Sequence, residues 1–189
     1  MKGLITICLV ATMILAIASI TKAGPLNLVT DGGFELGSGA EGDFPGWTVA
    51  GDDMDSWESG SPNPPHSGNS AAQLGEDGGN FSMVQYLSTV PNQEYLFSFW
   101  ELSDGATLNL FEAYFDGVQV FSVQDDPRHD YQQYIFDCFA TGTSTPIEFI
   151  SRDDPGWLAL DDVIVTPVPE PATLLLLGLG AVMLRRKRS

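Results

Sequence analysis

The chain has 189 residues, with 8 Lys and Arg against 25 Asp and Glu, for a formal net charge of −17. The imbalance is larger away from the termini, because residues 24–167 hold 24 of the 25 acidic residues and two of the eight basic ones, a formal charge of −22. Such a surface repels phosphate backbones and excludes nucleic-acid binding, whereas it favours hard divalent cations such as calcium.

The N-terminal segment, MKGLITICLVATMILAIASITKA (residues 1–23), has the three parts of a secretory signal peptide. Lys2 is followed by an apolar run over residues 4–20 and then by small residues up to Ala23. We therefore predict cleavage after Ala23 and export of the remainder, with an uncleaved anchor helix as the alternative.

Residues 24–167 are long enough for one domain with its own core. Short alternating or apolar runs recur between turn residues, and Asp116-Gly117 is typical of a tight hairpin. This pattern predicts an all-β fold, a jelly-roll β-sandwich of eight to ten short antiparallel strands. The candidate strands are 27–30, 46–50, 70–74, 81–87, 95–102, 108–115, 118–123, 131–140, 147–151 and 157–165.

Cys138 is the single cysteine of the predicted mature domain, because Cys8 lies in the signal peptide, and an intramolecular disulfide is excluded. It alternates with Tyr134 and Phe136 along a predicted strand, which favours burial as a small apolar side chain. An exposed thiol for cross-linking or lipid attachment is the alternative.

Residues 50–70 contain three prolines and four acids and are predicted to be a loop, either functional or a solvated connector. His66 lies in this loop, and His129 lies beside Arg128 and Asp130 in another predicted loop. Neither histidine belongs to a nucleophile or zinc motif, so we interpret both as surface residues and predict no catalytic residue.

Two separated segments, NLVTDGGFELG and LALDDVIV, carry the candidate metal ligands. If the first and last strands lie side by side, Glu35 can meet Asp161 or Asp162 and bind calcium together with loop carbonyls. Alternation along a strand places Asp161 and Asp162 on opposite faces, so at most one is expected to be a ligand. The alternative is that both are ordinary acids at a strand edge.

The four tryptophans divide into two pairs. Trp47 and Trp100 lie in apolar strand patterns and are predicted to pack in the core. Trp57 and Trp157 lie in or beside acidic, glycine- and proline-rich loops, where aromatic faces can stack on sugar rings. These two are candidate carbohydrate-binding residues, with loop anchoring as the alternative.

The C-terminal segment consists of Pro169-Glu170-Pro171, an apolar run over residues 172–184, and Arg185, Arg186, Lys187 and Arg188. Thirteen helical residues span roughly 20 Å, less than the ~30 Å hydrocarbon core of a bilayer. The basic end favours the cytoplasmic side, which leaves the acidic domain outside the inner membrane. The tail is therefore interpreted as a transient membrane stop before cleavage, with a permanent anchor as the alternative.

This tail, residues 168–189, resembles the PEP-CTERM sorting signal in its Pro-Glu-Pro motif, short transmembrane helix and basic end. The resemblance implies an exosortase as processing partner, in Gram-negative bacteria that make exopolysaccharide.

Residues 24–167 resemble the galactose-binding-like jelly rolls that include many carbohydrate-binding modules. The resemblance rests above all on Gly32 to Glu35 and on Leu160 to Val163. It implies a structural calcium site that includes Glu35 and Asp161, without fixing the residues that contact a sugar.

Three functions follow from these observations. The first is an exported, non-enzymatic protein that is held briefly by the inner membrane, delivered to the cell surface or extracellular matrix, and binds exopolysaccharide. The second is a structural matrix or coat protein, associated through calcium without a specific ligand. The third is an enzyme acting on polysaccharide.

Overall fold

The computed structural model describes residues 26–38, 43–51, 64–75 and 78–169, and the backbone of residues 54–58. The predicted signal peptide and residues 170–189 lie outside this part of the chain. The described residues form ten strands, all paired antiparallel: β1 (Thr48–Ala50), β2 (Met54–Glu58), β3 (Ser70–Leu74), β4 (Phe81–Ser88), β5 (Glu94–Ser103), β6 (Asn109–Phe115), β7 (Val118–Gln124), β8 (His129–Phe139), β9 (Ser144–Asp153) and β10 (Leu158–Pro167).

The strands form two five-stranded sheets. Sheet 1 has the order β1-β4-β9-β6-β7, and sheet 2 has the order β2-β3-β10-β5-β8. The predicted all-β jelly-roll sandwich is therefore confirmed. No helix among the described residues has the length and apolar character that crossing a membrane requires.

The core between the sheets is mainly aromatic. Phe97 and Phe99 of sheet 2 face Phe111 and Phe149 of sheet 1, and the Phe99 and Phe149 ring centroids are 5.1 Å apart in an edge-to-face arrangement. Trp47 packs against Phe149, which confirms its predicted core position. Burial of each such side chain contributes about 1.5–3 kcal/mol, so the inward-facing phenylalanines dominate the stability of the sandwich.

Three expectations about local structure are corrected. Residues 54–58, predicted to be loop, form β2 and pair with β3. Residues 27–30, predicted to be a strand, are irregular, although the Leu28 amide donates to the Val165 carbonyl oxygen. Trp100 lies on the outer face of sheet 2 and stacks on His66, with ring centroids 3.8 Å apart. The remaining predicted strands agree with the observed ones to within a few residues.

Cys138 is a free cysteine and lies in the hydrophobic core, as the alternation along β8 predicts. Burial raises the pKa of its thiol to about 11. A neutral, buried thiol is a poor nucleophile, so packing is the role that its surroundings support.

Candidate functional site

The start and the end of the domain meet at one place on sheet 2. Glu35 Oε1 accepts hydrogen bonds from the amides of Asn69 and Ser70, at 2.7 and 3.0 Å. A Cβ atom built on Gly33 would lie 3.8 Å from Glu35 Cγ and 3.9 Å from Asp161 Oδ1. The two predicted calcium ligands thus border a common space above Gly33. We call Glu35, His66, Asp161 and Asp162 the outer cluster.

Asp161 and Asp162 both belong to this cluster, and the expectation that strand alternation separates them is wrong. The register of β10 against β5 shifts between Asp161 and Ile164, and Asp162 has a positive φ of 47°. A bulge of this kind redirects a side chain. Asp161 Oδ2 accepts from the Ser67 amide, while Asp162 Oδ2 lies 2.7 Å from His66 Nδ1.

The outer cluster has too little positive charge to balance its carboxylates. Burial raises the pKa of Asp161 to about 7, although the amides of Ser67 and Asp162 act in the opposite direction. Asp31 Oδ1 accepts a hydrogen bond from the Glu35 amide. Burial also raises the pKa of Asp31, and its Oδ2 is buried without a hydrogen-bond partner among the described residues. Asp161 Oδ1 and Asp162 Oδ1 both border the space that a Cβ at Gly33 would fill, and carboxylate oxygens are the ligands that calcium prefers, whereas Glu35 borders that space with its Cγ.

A second cluster lies on the inner face of sheet 2 and was missed from the sequence. It consists of Glu101 on β5, Asp126 in the β7–β8 loop and His129 at the start of β8, and we call it the inner cluster. His129 Nε2 lies 2.9 Å from Asp126 Oδ2 and 3.3 Å from Glu101 Oε2. The expectation that His129 is a surface loop residue is wrong, because its side chain is only 13% exposed.

Glu101 is completely buried, and neither of its carboxylate oxygens has a hydrogen-bond partner among the described residues. Burial raises its pKa to about 8, with the His129 charge opposing that shift. For His129, burial lowers the pKa, but the hydrogen bonds to Asp130 and Asp126 and the Glu101 charge outweigh it and raise the pKa. The alternation of apolar and polar residues in the sequence does not indicate this cluster, because a bulge between β5 and β8 brings its residues together.

The outer face of sheet 1 carries a row of polar and aromatic side chains. Glu148 pairs in register with Tyr114, and Tyr114 with Gln119, across β9, β6 and β7. The Glu112 carboxylate accepts hydrogen bonds from the Tyr114 hydroxyl and from the side-chain amide of Gln119, both at 2.9 Å. Tyr86, on β4, is 70% exposed. We call this surface the polar face.

A cavity of about 180 Å³ continues the polar face towards one end of sheet 1. It is lined by Asn80, Leu108, Asn109, Leu110, Gln124 and Arg152. The polar face and this cavity together offer hydrogen-bonding groups next to flat aromatic rings, which is the combination that sugar-binding surfaces use.

The two predicted carbohydrate-binding tryptophans lie elsewhere. Trp57 is in β2, not in a loop, and its side chain lies outside the described residues. Trp157 is half-buried just before β10, where its amide lies 3.3 Å from Asp104 Oδ2. Their part in sugar binding stays a prediction.

The tail is placed up to Pro169. The amide of Val168 donates to the Glu94 carbonyl oxygen, so the chain leaves the sandwich beside the start of β5.

Residues 167–188 match the PEP-CTERM protein-sorting motif. The chain carries a PEP-CTERM sorting signal. It is therefore an exported protein that is processed at a membrane. Glu170, Pro171 and the basic end lie outside the described residues.

Solved structures similar to the sandwich include several carbohydrate-binding modules. A family 61 module, TmCBM61 in complex with β-1,4-galactotriose, is 19% identical, with a TM-score of 0.60 over 76% of this chain and 99% of that one. A family 16 module is 19% identical, with a TM-score of 0.53 over 74% and 99%. The CBM22-1 xylan-binding domain of Paenibacillus barcinonensis Xyn10C is 17% identical, with a TM-score of 0.51 over 78% and 98%. At these identities the likeness establishes the fold. No curated protein sequence matches the chain.

Proposed function

We propose that the protein is a non-enzymatic, polysaccharide-binding component of the cell surface or extracellular matrix, with the polar face of sheet 1 as its binding surface. The observation that carries the proposal is the row of Glu112, Tyr114, Gln119 and Glu148, with exposed Tyr86 on the same face. Tyrosine rings stack on sugar rings, and carboxylate and amide groups hydrogen-bond to hydroxyls. The carbohydrate-binding-module fold supports the same function.

The ligand we propose is a neutral polysaccharide, such as the producing bacterium's own exopolysaccharide. The formal charge of −22 over residues 24–167 repels polyanions such as uronic-acid-rich chains. Glu112 and Glu148 on the binding surface are acceptors for hydroxyl groups and have no cationic partner among the described residues.

The test is binding of the full chain to a glycan array that includes the producer's exopolysaccharide. Tyr114→Ala is expected to weaken binding about tenfold, because an aromatic contact contributes about 0.5–1.5 kcal/mol beyond its buried area. The matched control is Phe139→Ala, which removes an aromatic ring that is 60% exposed on the other sheet. Loss of binding only with Trp57→Ala and Trp157→Ala would move the site to those residues, and no binding to any glycan would refute the function.

Processing by an exosortase is the second part of the proposal. The PEP-CTERM match at residues 167–188 supports it, since the apolar run is too short for a stable span and the basic end retains it on the cytoplasmic side. Mass spectrometry of the mature protein should show loss of the residues that follow the Pro-Glu-Pro motif. An intact C-terminus on surface-delivered protein would instead indicate a permanent anchor.

A calcium ion at the outer cluster is the third part. Glu35 and Asp161 would hold it, with Asp162 as a further oxygen donor, and it would join the first turn of the domain to β10. The same cluster also favours a second function, calcium-bridged association without a glycan ligand. Calcium-dependent assembly in light scattering, with no affinity for any glycan, would select that function.

We propose no catalytic role for the protein. The most strongly perturbed carboxylates, Glu101, Asp153 and Asp161, are 0%, 1% and 0% exposed and lie beyond the reach of a polymer substrate. Release of shorter fragments from a bound polysaccharide, abolished by Glu112→Gln without change in melting temperature, would show an enzyme instead.

A further inference from the structure

We propose that the inner cluster, Glu101, Asp126 and His129, binds a divalent transition-metal ion, with zinc as the ion that its donor set fits. The site is separate from the outer cluster, because it lies on the opposite face of sheet 2 and its ligand atoms are buried or half-buried. Calcium selects oxygen ligands, whereas zinc binds histidine nitrogen together with carboxylate oxygen.

The carboxylate of Glu101, which accepts no hydrogen bond from the described residues, is the first observation behind this proposal. Its side chain is fully buried and Oε2 lies 3.3 Å from His129 Nε2, yet neither oxygen has a hydrogen-bond partner among the described residues. A buried carboxylate without hydrogen bonds is costly, and an ionised one far more so. A cation between Glu101 and His129 would bind the carboxylate and offset that cost.

The orientation of His129 is the second observation. Its Nδ1 lies 2.8 Å from the carbonyl oxygen of Asp130, an acceptor that places the proton on Nδ1. Nε2 then points its lone pair at two carboxylates, Asp126 and Glu101. That arrangement is repulsive unless Nε2 binds a proton or a metal. A backbone carbonyl that fixes the other ring nitrogen is the usual outer contact of a metal-binding histidine.

The spacing fits a small ion. Tetrahedral zinc with bonds of about 2.0–2.1 Å places its ligand atoms about 3.3 Å apart. The Glu101–His129 distance is 3.3 Å, the Asp126–His129 distance is 2.9 Å, and all three ligand atoms lie within 4.8 Å of one another. Only a small separation of Asp126 and His129 is needed, and a water or a second carboxylate oxygen would complete the coordination.

Neighbouring residues hold the cluster in place. Asn109 binds the backbone of Asp126 from both sides, since Nδ2 donates to the Asp126 carbonyl oxygen and Oδ1 accepts from its amide. The bulge between β5 and β8 pairs Ser103 with His129 and Glu101 with Gln132, which leaves one extra residue in β8 and turns His129 towards Glu101. The ligands are thus preorganised without the ion, as a structural metal site requires.

A divalent ion would balance the charges of the cluster. Two carboxylates and an imidazolium leave a net charge of −1 in a buried site, whereas two carboxylates, a neutral imidazole and Zn²⁺ leave none. Because Glu101 is inaccessible to a substrate, the ion would stabilise the fold and not catalyse a reaction.

The test is zinc binding to the metal-stripped full chain, followed by NMR of the imidazole groups. The chain contains only two histidines, so the His129 and His66 signals are distinguished by His66→Gln. We expect zinc to shift the His129 signals to those of an Nε2-bound, Nδ1-protonated ring, and excess calcium not to reverse the shift. Unchanged His129 signals at a tenfold excess of zinc would overturn the proposal.

Two variants separate a metal site from an ion pair. Glu101→Gln should lower zinc affinity of the inner cluster at least about 100-fold and remove the zinc-dependent shift of the His129 signals, while leaving the metal-free protein at least as stable. If Glu101 only balances a protonated His129, the same variant lowers the metal-free stability and zinc does not shift the His129 signals in either protein. The matched control is Asp125→Asn, which removes an exposed charge beside Asp126 at a positive φ that asparagine tolerates.

Discussion

The two faces of sheet 2 each carry a carboxylate cluster at the same level, because Leu160 pairs with Glu101 and Asp161 with Trp100. The outer cluster receives four backbone amides, two on Glu35 and two on Asp161. On the inner face, Glu101 accepts no hydrogen bond from the described residues, and its ion-pair contact is with His129 Nε2 at 3.3 Å. The difference shows two ways to place acids in a sandwich. Loop amides partly offset the burial of the carboxylates on one face, and a proton or a cation must do so on the other.

The largest effect is expected from calcium at the outer cluster. At a calcium concentration about 1000 times the dissociation constant, the metal-stripped full chain should gain about 4 kcal/mol, a rise of roughly 10 °C in melting temperature. Glu35→Gln should remove that rise, because a neutral amide is a weaker calcium ligand. Differential scanning calorimetry with and without added calcium measures both.

The stabilisation by calcium should depend on the acidic residues of the outer cluster and not on those of the inner cluster. Glu101→Gln should leave the calcium-dependent rise intact, since Glu101 lies on the opposite face of the sheet. Asp137→Asn, which removes an exposed acid from the outer face, is the charge-matched control. An identical melt with and without calcium in the parent protein would rule out the outer site, and loss of the rise in Glu101→Gln would place the calcium on the inner face.

The second effect concerns Asp153, another buried carboxylate without amide donors. Burial and the nearby Asp104 carboxylate raise the pKa of Asp153 to about 7, so it holds a proton in the folded protein that it loses in the unfolded chain. Because the folded state binds the extra proton, the free energy of unfolding should fall as the pH rises from about 4 to about 7. The slope from this group approaches about 1.4 kcal/mol per pH unit.

Asp153→Asn should remove this contribution to the pH dependence of the free energy of unfolding, because the asparagine side-chain amide can donate a hydrogen bond to Asp104 at every pH. Asp154→Asn is the control, because hydrogen bonds from Gly78 and Arg152 lower the pKa of Asp154 and place its titration below this window. Urea unfolding at pH 4, 5, 6 and 7 in the presence of chelator gives the slopes. Equal slopes for the parent and Asp153→Asn would mean that Asp153 is ionised in the folded protein.

The sequence predicted the strands well because period-two alternation survives in β4, β6 and β9, whose residues alternate between buried and less buried along each strand. It also placed Glu35 near Asp161 through the pairing of the chain ends. It failed where the register shifts. The bulge after Asp161 turns Asp162 to the same loop, and the bulge between β5 and β8 turns His129 inward. A one-residue shift leaves composition and periodicity almost unchanged, so neither cluster could be assembled in full from the pattern alone.

The smallest effect distinguishes the two glycines of the GGFE segment. A Cβ at Gly32 would overlap the carbonyl oxygen of Val163, which also belongs to the bulged part of β10. Gly32→Ala should therefore destabilise the protein by about 1–3 kcal/mol with or without calcium, because backbone must move. A Cβ at Gly33 meets Asp162 Oδ1, Glu35 Cγ and Asp161 Oδ1 only at ordinary contact distances of 3.8–3.9 Å.

Gly33→Ala should accordingly change the metal-free free energy of unfolding by less than about 0.5 kcal/mol while reducing the stabilisation by calcium, since its methyl group occupies the space between the carboxylates. Chemical denaturation of both variants, with chelator and with calcium, separates the two contributions. Gly33→Ala that retains the full calcium effect would show that the ion lies away from the space above Gly33. The outer cluster would then be held by its loop amides, and the contrast with the inner face would rest on Glu101 alone.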